Sequence, residues 1–103
     1  MVGGAGELKV ADDEVIALCA SLRNEALGIA QSQGWNGVGT AFDAVNYRSQ
    51  CVAGTNFFIA VDVGGGVHLH LRIYRPLPHT GQPAQLAALK IAAPTDEVGY
   101  FEG

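Results

Sequence analysis

The chain has 103 residues, of which 49% are hydrophobic and 16% are charged, and its formal net charge is −4. A composition of this kind is typical of a compact globule and excludes a disordered tail. The six Lys and Arg residues are scattered along the chain, so no basic cluster indicates a nucleic-acid partner. We therefore predict a single domain over residues 1–103, of a size that folds around one core.

The expected location follows from the N-terminal segment and the cysteines. Residues 1–6 have neither the basic region nor the apolar run of a signal peptide. No stretch approaches the ~20 apolar residues of a membrane span, so no membrane partner is expected. Cys19 falls on the apolar side of a helical pattern and Cys51 lies between two strand patterns. Two such cysteines are most simply free thiols in a reducing compartment, which predicts a cytoplasmic protein.

The first periodic segment follows a glycine-rich start and predicts one long helix. Residues 7–10 are consistent with a short strand, after which Asp12 or Asp13 is expected to cap the helix. Apolar residues then recur at three- and four-residue steps as far as about residue 30, which is the pattern of one buried helix face. They are Val15, Leu18, Cys19, Leu22, Ala26 and Ile29.

The period changes from residue 41 onward and predicts an antiparallel meander. Residues 31–40 are predicted to form a connection, and Trp35 within it is expected to fold over an edge of the core. Val45, Tyr47 and Cys51 are predicted to point to one side of the next strand. Residues 57–63 and 67–74 alternate most cleanly, and three glycines at 64–66 supply the turn between them. These two segments are predicted to be half-buried strands of a hairpin.

Residues 84–93 carry conflicting signals. Their alanine and leucine content favours a helix, whereas the meander before them favours a last strand that carries Leu86, Leu89 and Ile91. We predict the strand, because pairing with a neighbouring strand overrides weak propensity. The final residues, from 96 onward, are expected to lie over the body of the protein, held by Tyr100 and Phe101.

Two of the predicted turns share one end of the sheet. Successive turns of an antiparallel meander alternate between the two ends, so the turn at residues 50–54 and the turn at 77–79 should emerge together. The glycine turn at 64–66 should emerge at the opposite end. The first end is unusually apolar at its tips, with Val52, Ala53, Leu77 and Pro78. Grouped, exposed apolar residues of this kind indicate a binding edge.

The residues of these turns resemble a known family. Residues 50–54 read Gln-Cys-Val-Ala-Gly and continue as Thr-Asn, Gly4 lies far upstream, and Leu77-Pro78-His79 forms the second turn. With Tyr100 and Phe101, this set resembles the cystatins, and within them the stefin branch, from Gly4 almost to the end of the chain. The resemblance implies an α+β, cystatin-like fold, in which an antiparallel sheet of four to five strands wraps around one long N-terminal helix.

The resemblance also implies a function. Stefins are reversible, tight-binding, non-covalent inhibitors of papain-like cysteine proteases, so neither an enzyme nor a cofactor or metal is expected. By resemblance, the N-terminal trunk lies on the non-primed side of the protease cleft, the first hairpin blocks its middle and the second hairpin lies on the primed side. The implied contact residues are Val2, Gly3, Gly4, Gln50, Cys51, Val52, Ala53, Gly54, Leu77, Pro78 and His79.

Some features depart from this expectation or offer alternatives. The family motif usually has valine where this chain has Cys51, which either packs as a small apolar group or, if oxidised, blocks the edge. His68 and His70 share one strand face, but a zinc site needs further ligands, so solvent-facing histidines are predicted. The rival function is a cystatin-fold interaction module without inhibition. The active species is expected to be a monomer, and a domain-swapped dimer would lose the binding edge.

Overall fold

A computed structural model of the chain describes residues 6–37 and 41–101. Within them, five strands form one antiparallel sheet in the order β1-β2-β3-β4-β5, and two helices lie between the first two strands in sequence. The predicted α+β arrangement is confirmed. The elements are β1 (Lys9–Val10), α1 (Asp13–Ser21), α2 (Arg23–Ser32), β2 (Asp43–Val52), β3 (Gly54–Asp62), β4 (His68–Arg75), a short 3-10 helix (Pro78–Thr80) and β5 (Gln85–Ala92).

The helical segment begins as predicted but is not one continuous helix. Asp12 is the cap, because its Oδ1 accepts a hydrogen bond from the Val15 amide at 2.9 Å. That bond and one from the Tyr47 hydroxyl lower the pKa of Asp12. The backbone leaves helical geometry at Leu22, with φ −111° and ψ 11°. Just before this break, the Ser21 hydroxyl bonds back to the Leu18 carbonyl at 2.8 Å, a bond that bends helices.

The main core lies between the helices and one face of the sheet. The predicted alternation of β3 and β4 is confirmed, since their alternate apolar side chains are buried on this face. Trp35 closes one edge of the core with only 7% of its surface exposed, as predicted. Buried together are Val15, Cys19, Ala26 and Ala30 from the helices, Phe57, Ile59, Val61 and Val63 from β3 and the residue after it, Leu69, Leu71 and Ile73 from β4, and Leu89 from β5.

Two β-bulges shift side chains in ways that simple alternation does not predict. The register of β2 slips between Ala44 and Asn46, and Val45 is exposed. The prediction that Val45 lies on the same face as Tyr47 is therefore wrong. A second slip lies opposite Arg72 and Ile73, in β5. It places Leu86 and Leu89 against the same core despite their odd spacing. The predicted last strand is therefore confirmed, although Ile91 near its end is exposed.

The outer face of the sheet is covered by the C-terminal segment. Residues 97–101, which we name the strap, cross this face. Val98 forms a second buried cluster with Phe58 and Ala60. The rings of Tyr100 and Phe101 contact Phe58, with centroids 5.5 and 6.2 Å from its own. The predicted role of these two aromatic residues is thus confirmed, and β3 is buried on both faces.

His70 is buried, which contradicts the prediction of a solvent-facing histidine. It lies on the outer face of β4 between Ala60 and Lys90, and only 1% of its surface is exposed. Neither ring nitrogen has a hydrogen-bond partner among the described residues. Burial lowers the pKa of His70 first of all; Lys90 and His68 lower it further, and Asp96 opposes them. The imidazole is therefore neutral in the folded chain at neutral pH.

We expect His70 to make the fold less stable in acid. Its folded pKa lies below the ordinary value of about 6.5, so the unfolded chain binds more protons between the two pKa values. Its contribution to the free energy of unfolding is complete above about pH 6.5. That contribution is lost as the pH falls towards the folded pKa, at about 1.4 kcal/mol for each unit between the two pKa values.

Denaturant unfolding at about pH 7.5 and about pH 5.5 checks this expectation. The His70→Leu variant should lose less stability between the two pH values than the parent chain does. An equal loss in the parent and in His70→Leu would contradict the expectation.

Candidate functional site

The first hairpin is tighter than the sequence indicated. We predicted a tip over residues 50–54, but Val52 pairs with Gly54 and only Ala53 lies between the two strands. Gln50 and Cys51 belong to β2, where they pair with Asn56 and Thr55. The side-chain amide of Asn56 donates to the side-chain oxygen of Gln50 at 3.1 Å, which orients Gln50 across the hairpin.

Gly54 allows the first hairpin to pack against the end of β4. Its φ of +122° lies in the region that glycine adopts most readily. A Cβ atom at this position would lie 2.6 Å from the Arg75 carbonyl oxygen, so there is no room for a side chain. The Tyr74 hydroxyl, also from β4, donates to the Ala53 carbonyl and holds the tip in place.

The second loop follows β4 directly and is ordered by its own hydrogen bonds. The Leu77 carbonyl accepts from the Thr80 amide at 3.0 Å and from the Thr80 hydroxyl at 2.8 Å. The 3-10 helix that these bonds close begins at Pro78 and contains His79. Gly81 then reverses the chain with φ +67°.

Both loops lie at one end of the sheet, as predicted. Thr55, at the start of β3, pairs with Arg75, at the end of β4. The glycine turn at 64–66 follows the other end of β3, where Asp62 pairs with His68. The apolar tips remain accessible, with Val52 49% and Leu77 40% exposed. The structure therefore brings Val52, Ala53, Leu77 and Pro78 to one rim, which we name the apolar edge.

A braced cleft lies behind the apolar edge, and it was not foreseen from the sequence. It has a volume of about 410 Å³, and its walls include Glu14, Gly54, Arg75 and Leu77. Arg75 donates to the Glu14 carboxylate, and its guanidinium lies 4.9 Å from the centre of the Phe57 ring. These contacts connect the start of α1 to the second loop. The two partners are 61 residues apart, and no local pattern pairs them.

Comparisons with known proteins identify the family. The chain is 37% identical over 92 residues to Cystatin-B of Paralichthys olivaceus, and the match covers 86% of each protein. It is 29% identical over 97 residues to Cystatin-A1 of Sus scrofa, a match that covers 94% of this chain and 89% of that protein. The chain is a stefin. This family, the type 1 branch of the cystatins, is the one whose motifs the sequence resembles. No protein-family model matches the chain.

Two further relatives of this stefin add detail. Cystatin-B of Mus musculus is 46% identical over 61 residues, which cover 58% of this chain and 62% of that protein. A protein of Sus scrofa named leukocyte cysteine proteinase inhibitor 1 is 43% identical over 56 residues, 54% of each chain. Membership of a family of inhibitors confirms the prediction that the stefin is not an enzyme.

The structure describes the cysteine of the predicted site but not the N-terminal residues of that site. Val2, Gly3 and Gly4 lie outside the described residues, so their role stays a prediction. Cys51 is an exposed free thiol beside the apolar edge. Cys19 is buried, and burial raises its pKa to about 12, which leaves that thiol unreactive at neutral pH. The hypothesis of oxidation therefore concerns Cys51 and not Cys19.

Other kinds of site find no support in the part of the stefin that the structure describes. Its His, Cys, Asp and Glu side chains form no group of three or more that could hold a metal ion. In the same part, neither helix has the length and apolar character needed to cross a bilayer. The apolar edge itself can be buried against another surface, because Val52 and Leu77 remain partly exposed on it.

Proposed function

We propose that this stefin is a reversible, tight-binding, non-covalent inhibitor of papain-like cysteine proteases. The observation that carries the proposal is the apolar edge, where Val52 and Leu77 stand half exposed on two hairpins braced at the same end of the sheet. The name of the pig relative, a cysteine proteinase inhibitor, supports the same partner class. An exposed and grouped apolar rim is typical of a protein-binding surface.

The contact residues are proposed in three groups. Gln50, Cys51, Val52, Ala53 and Gly54 block the middle of the protease cleft. Leu77, Pro78 and His79 lie on its primed side, and the trunk of Val2, Gly3 and Gly4 lies on its non-primed side. This arrangement excludes substrate and offers the protease thiolate no peptide bond placed for attack.

The rigidity of the edge accounts for tight binding. An ordinary interface of about 1,600 Å² in total gives widely different affinities, depending on how much freedom is lost on docking. The Tyr74–Ala53 bond, the Arg75–Glu14 pair and the hydrogen bonds of the second loop fix both hairpins before any partner binds. Little conformational entropy then remains to be lost on docking.

Titration against active papain tests the proposal. We expect stoichiometric inhibition that is reversed on dilution, with the inhibitor recovered intact by mass spectrometry. An absence of inhibition at about micromolar concentration would overturn the proposal. That result would favour the alternative, a cystatin-fold interaction module that does not inhibit proteases.

Deletion of residues 1–4 is expected to weaken inhibition mainly through faster dissociation of the complex. The trunk is proposed to add contacts to the complex, and the loss of contacts at an interface acts mostly on the dissociation rate. Association and dissociation rates measured by stopped-flow fluorescence with a quenched substrate separate the two effects. An unchanged inhibition constant for the truncated protein would refute this expectation.

Three finer predictions accompany the proposal. The two free cysteines support a cytoplasmic location, and residues 1–103 are proposed to form one domain. The active species is proposed to be the monomer. A dimer that exchanges its N-terminal half through the first hairpin would open the turn at Ala53 and lose the apolar edge.

A further inference from the structure

Arg48 lies at the centre of a three-way contact on the outer face of the sheet. It sits in β2 opposite Phe58, with 22% of its side chain exposed. Its Nε donates to the Val98 carbonyl at 2.8 Å, and its Nη2 donates to Glu97 Oε2 at 3.1 Å. Its Nη1 donates to the Gly6 carbonyl at 3.0 Å. One guanidinium therefore joins the N-terminal segment, β2 and the strap.

The planar fork of arginine makes this contact directional. Its N–H donors have fixed relative orientations, so bonds made by two nitrogens aim the third. The strap occupies Nε and Nη2, and Nη1 is thereby directed at Gly6. The Gly6 amide also donates to the Ser49 carbonyl at 2.8 Å. Gly6 is thus held through both its N–H and its C=O.

We propose that Arg48 is a positioning residue for the inhibitory trunk, which it acts on by fixing Gly6 against the sheet. This inference rests on the proposed function. Residues 2–4 are connected to Gly6 through Ala5 alone, so the position of Gly6 sets the point from which the trunk starts. A fixed starting point reduces the entropy that the trunk loses when it docks, and this slows dissociation of the complex. The strap contributes by orienting the guanidinium.

Arg72 provides a matched control. It lies on β4, on the same outer face, and it is also opposite Phe58. Its Nε is buried without a hydrogen-bond partner among the described residues. Arg48 and Arg72 therefore flank the same aromatic ring, but only Arg48 bonds to Gly6. Replacing either one by glutamine removes one charge from the same face of the sheet.

The kinetic experiment compares papain dissociation rates in a double-mutant cycle. The variants are Arg48→Gln, the deletion of residues 1–4, and the two combined, with Arg72→Gln as control. We expect Arg48→Gln to speed dissociation about three- to tenfold in the full chain, as for the loss of one net hydrogen bond. In the truncated chain, Arg48→Gln should change the dissociation rate by no more than about twofold. Arg72→Gln should also change the dissociation rate by no more than about twofold. An equal acceleration in the full and truncated chains, or none in either, would overturn the inference.

A second readout does not depend on protease binding. Amide hydrogen exchange at Gly6, followed by NMR, should be faster in Arg48→Gln than in the parent and Arg72→Gln, while core amides of β3 stay unchanged. Unchanged exchange at Gly6 would overturn the inference, as would general acceleration across β3. Failure of the parent chain to inhibit papain would instead overturn the proposed function, and the exchange data would still decide whether Arg48 holds Gly6.

Discussion

Replacing Gly54 with alanine is expected to raise the inhibition constant for papain at least about tenfold, which corresponds to about 1.4 kcal/mol of binding free energy. The new Cβ would meet the Arg75 carbonyl oxygen at 2.6 Å and the Tyr74 hydroxyl at 2.8 Å. Backbone atoms give way less easily than side chains, so the hairpin tip must move away from β4. Val52 and Ala53 would then leave their alignment with Leu77. We also expect the free energy of unfolding to fall by about 1–3 kcal/mol.

Gly65→Ala is the matched control for this prediction. Gly65 also has a positive φ, +66°, but nothing lies within 4 Å of the position of an added Cβ. It belongs to the glycine turn at the opposite end of the sheet. We expect Gly65→Ala to lower the free energy of unfolding, because alanine is strained at a positive φ. The inhibition constant for papain should stay unchanged. Steady-state inhibition of papain gives the inhibition constant of both variants, and denaturant unfolding gives their free energies of unfolding. Unaltered inhibition by Gly54→Ala would show that the hairpin need not contact β4.

Replacing Phe58 with alanine is expected to lower the free energy of unfolding by about 3–5 kcal/mol. The Phe58 side chain is fully buried, and it holds the strap through Val98, Tyr100 and Phe101. Its loss would leave a cavity on the outer face and remove the ring on which the strap packs. A change of this size is a large part of the roughly 5–15 kcal/mol that stabilises a domain.

Denaturant unfolding followed by circular dichroism checks the effect of Phe58→Ala. Tyr100→Ala serves as the comparison, because Tyr100 contacts the same ring but is itself exposed. We expect Tyr100→Ala to cost clearly less than Phe58→Ala. Losses of similar size in the two variants would mean that the loss of stability comes mainly from the weakened packing of the strap and not from the cavity. A loss below about 1 kcal/mol in Phe58→Ala would contradict the prediction.

The parts of the fold that could be predicted are those set by local pattern. Alternation in residues 57–63 and 67–74 predicts two strands and their buried faces. Side chains of a strand point alternately to the two faces of the sheet, so the apolar residues of each segment must share one face. The order of turns in a meander then predicts that Val52 and Leu77 lie at the same end of the sheet. A helix cap at Asp12 or Asp13 followed from the same kind of local argument. The final strand, predicted over residues 84–93, followed instead from the meander before it, against the helical propensity of its own residues.

The parts that could not be predicted depend on contacts distant in sequence. The bulges that expose Val45 and realign Leu86 are register slips, which a regular alternation cannot encode. His70 reads as solvent-facing within its strand, and it is buried because the strap covers that face. Arg48 and the Arg75–Glu14 brace likewise acquire their partners only when the chain is folded.

The position of Trp35 has a practical consequence for spectroscopy. The chain has a single tryptophan, and its ring shares a cleft with Val63, Gly64 and Val67, beside the glycine turn. Its emission therefore reports the integrity of the interior and is insensitive to events at the rim that carries Val52 and Leu77. Trp35 emission of the free chain can thus report unfolding in variants whose rim has been altered.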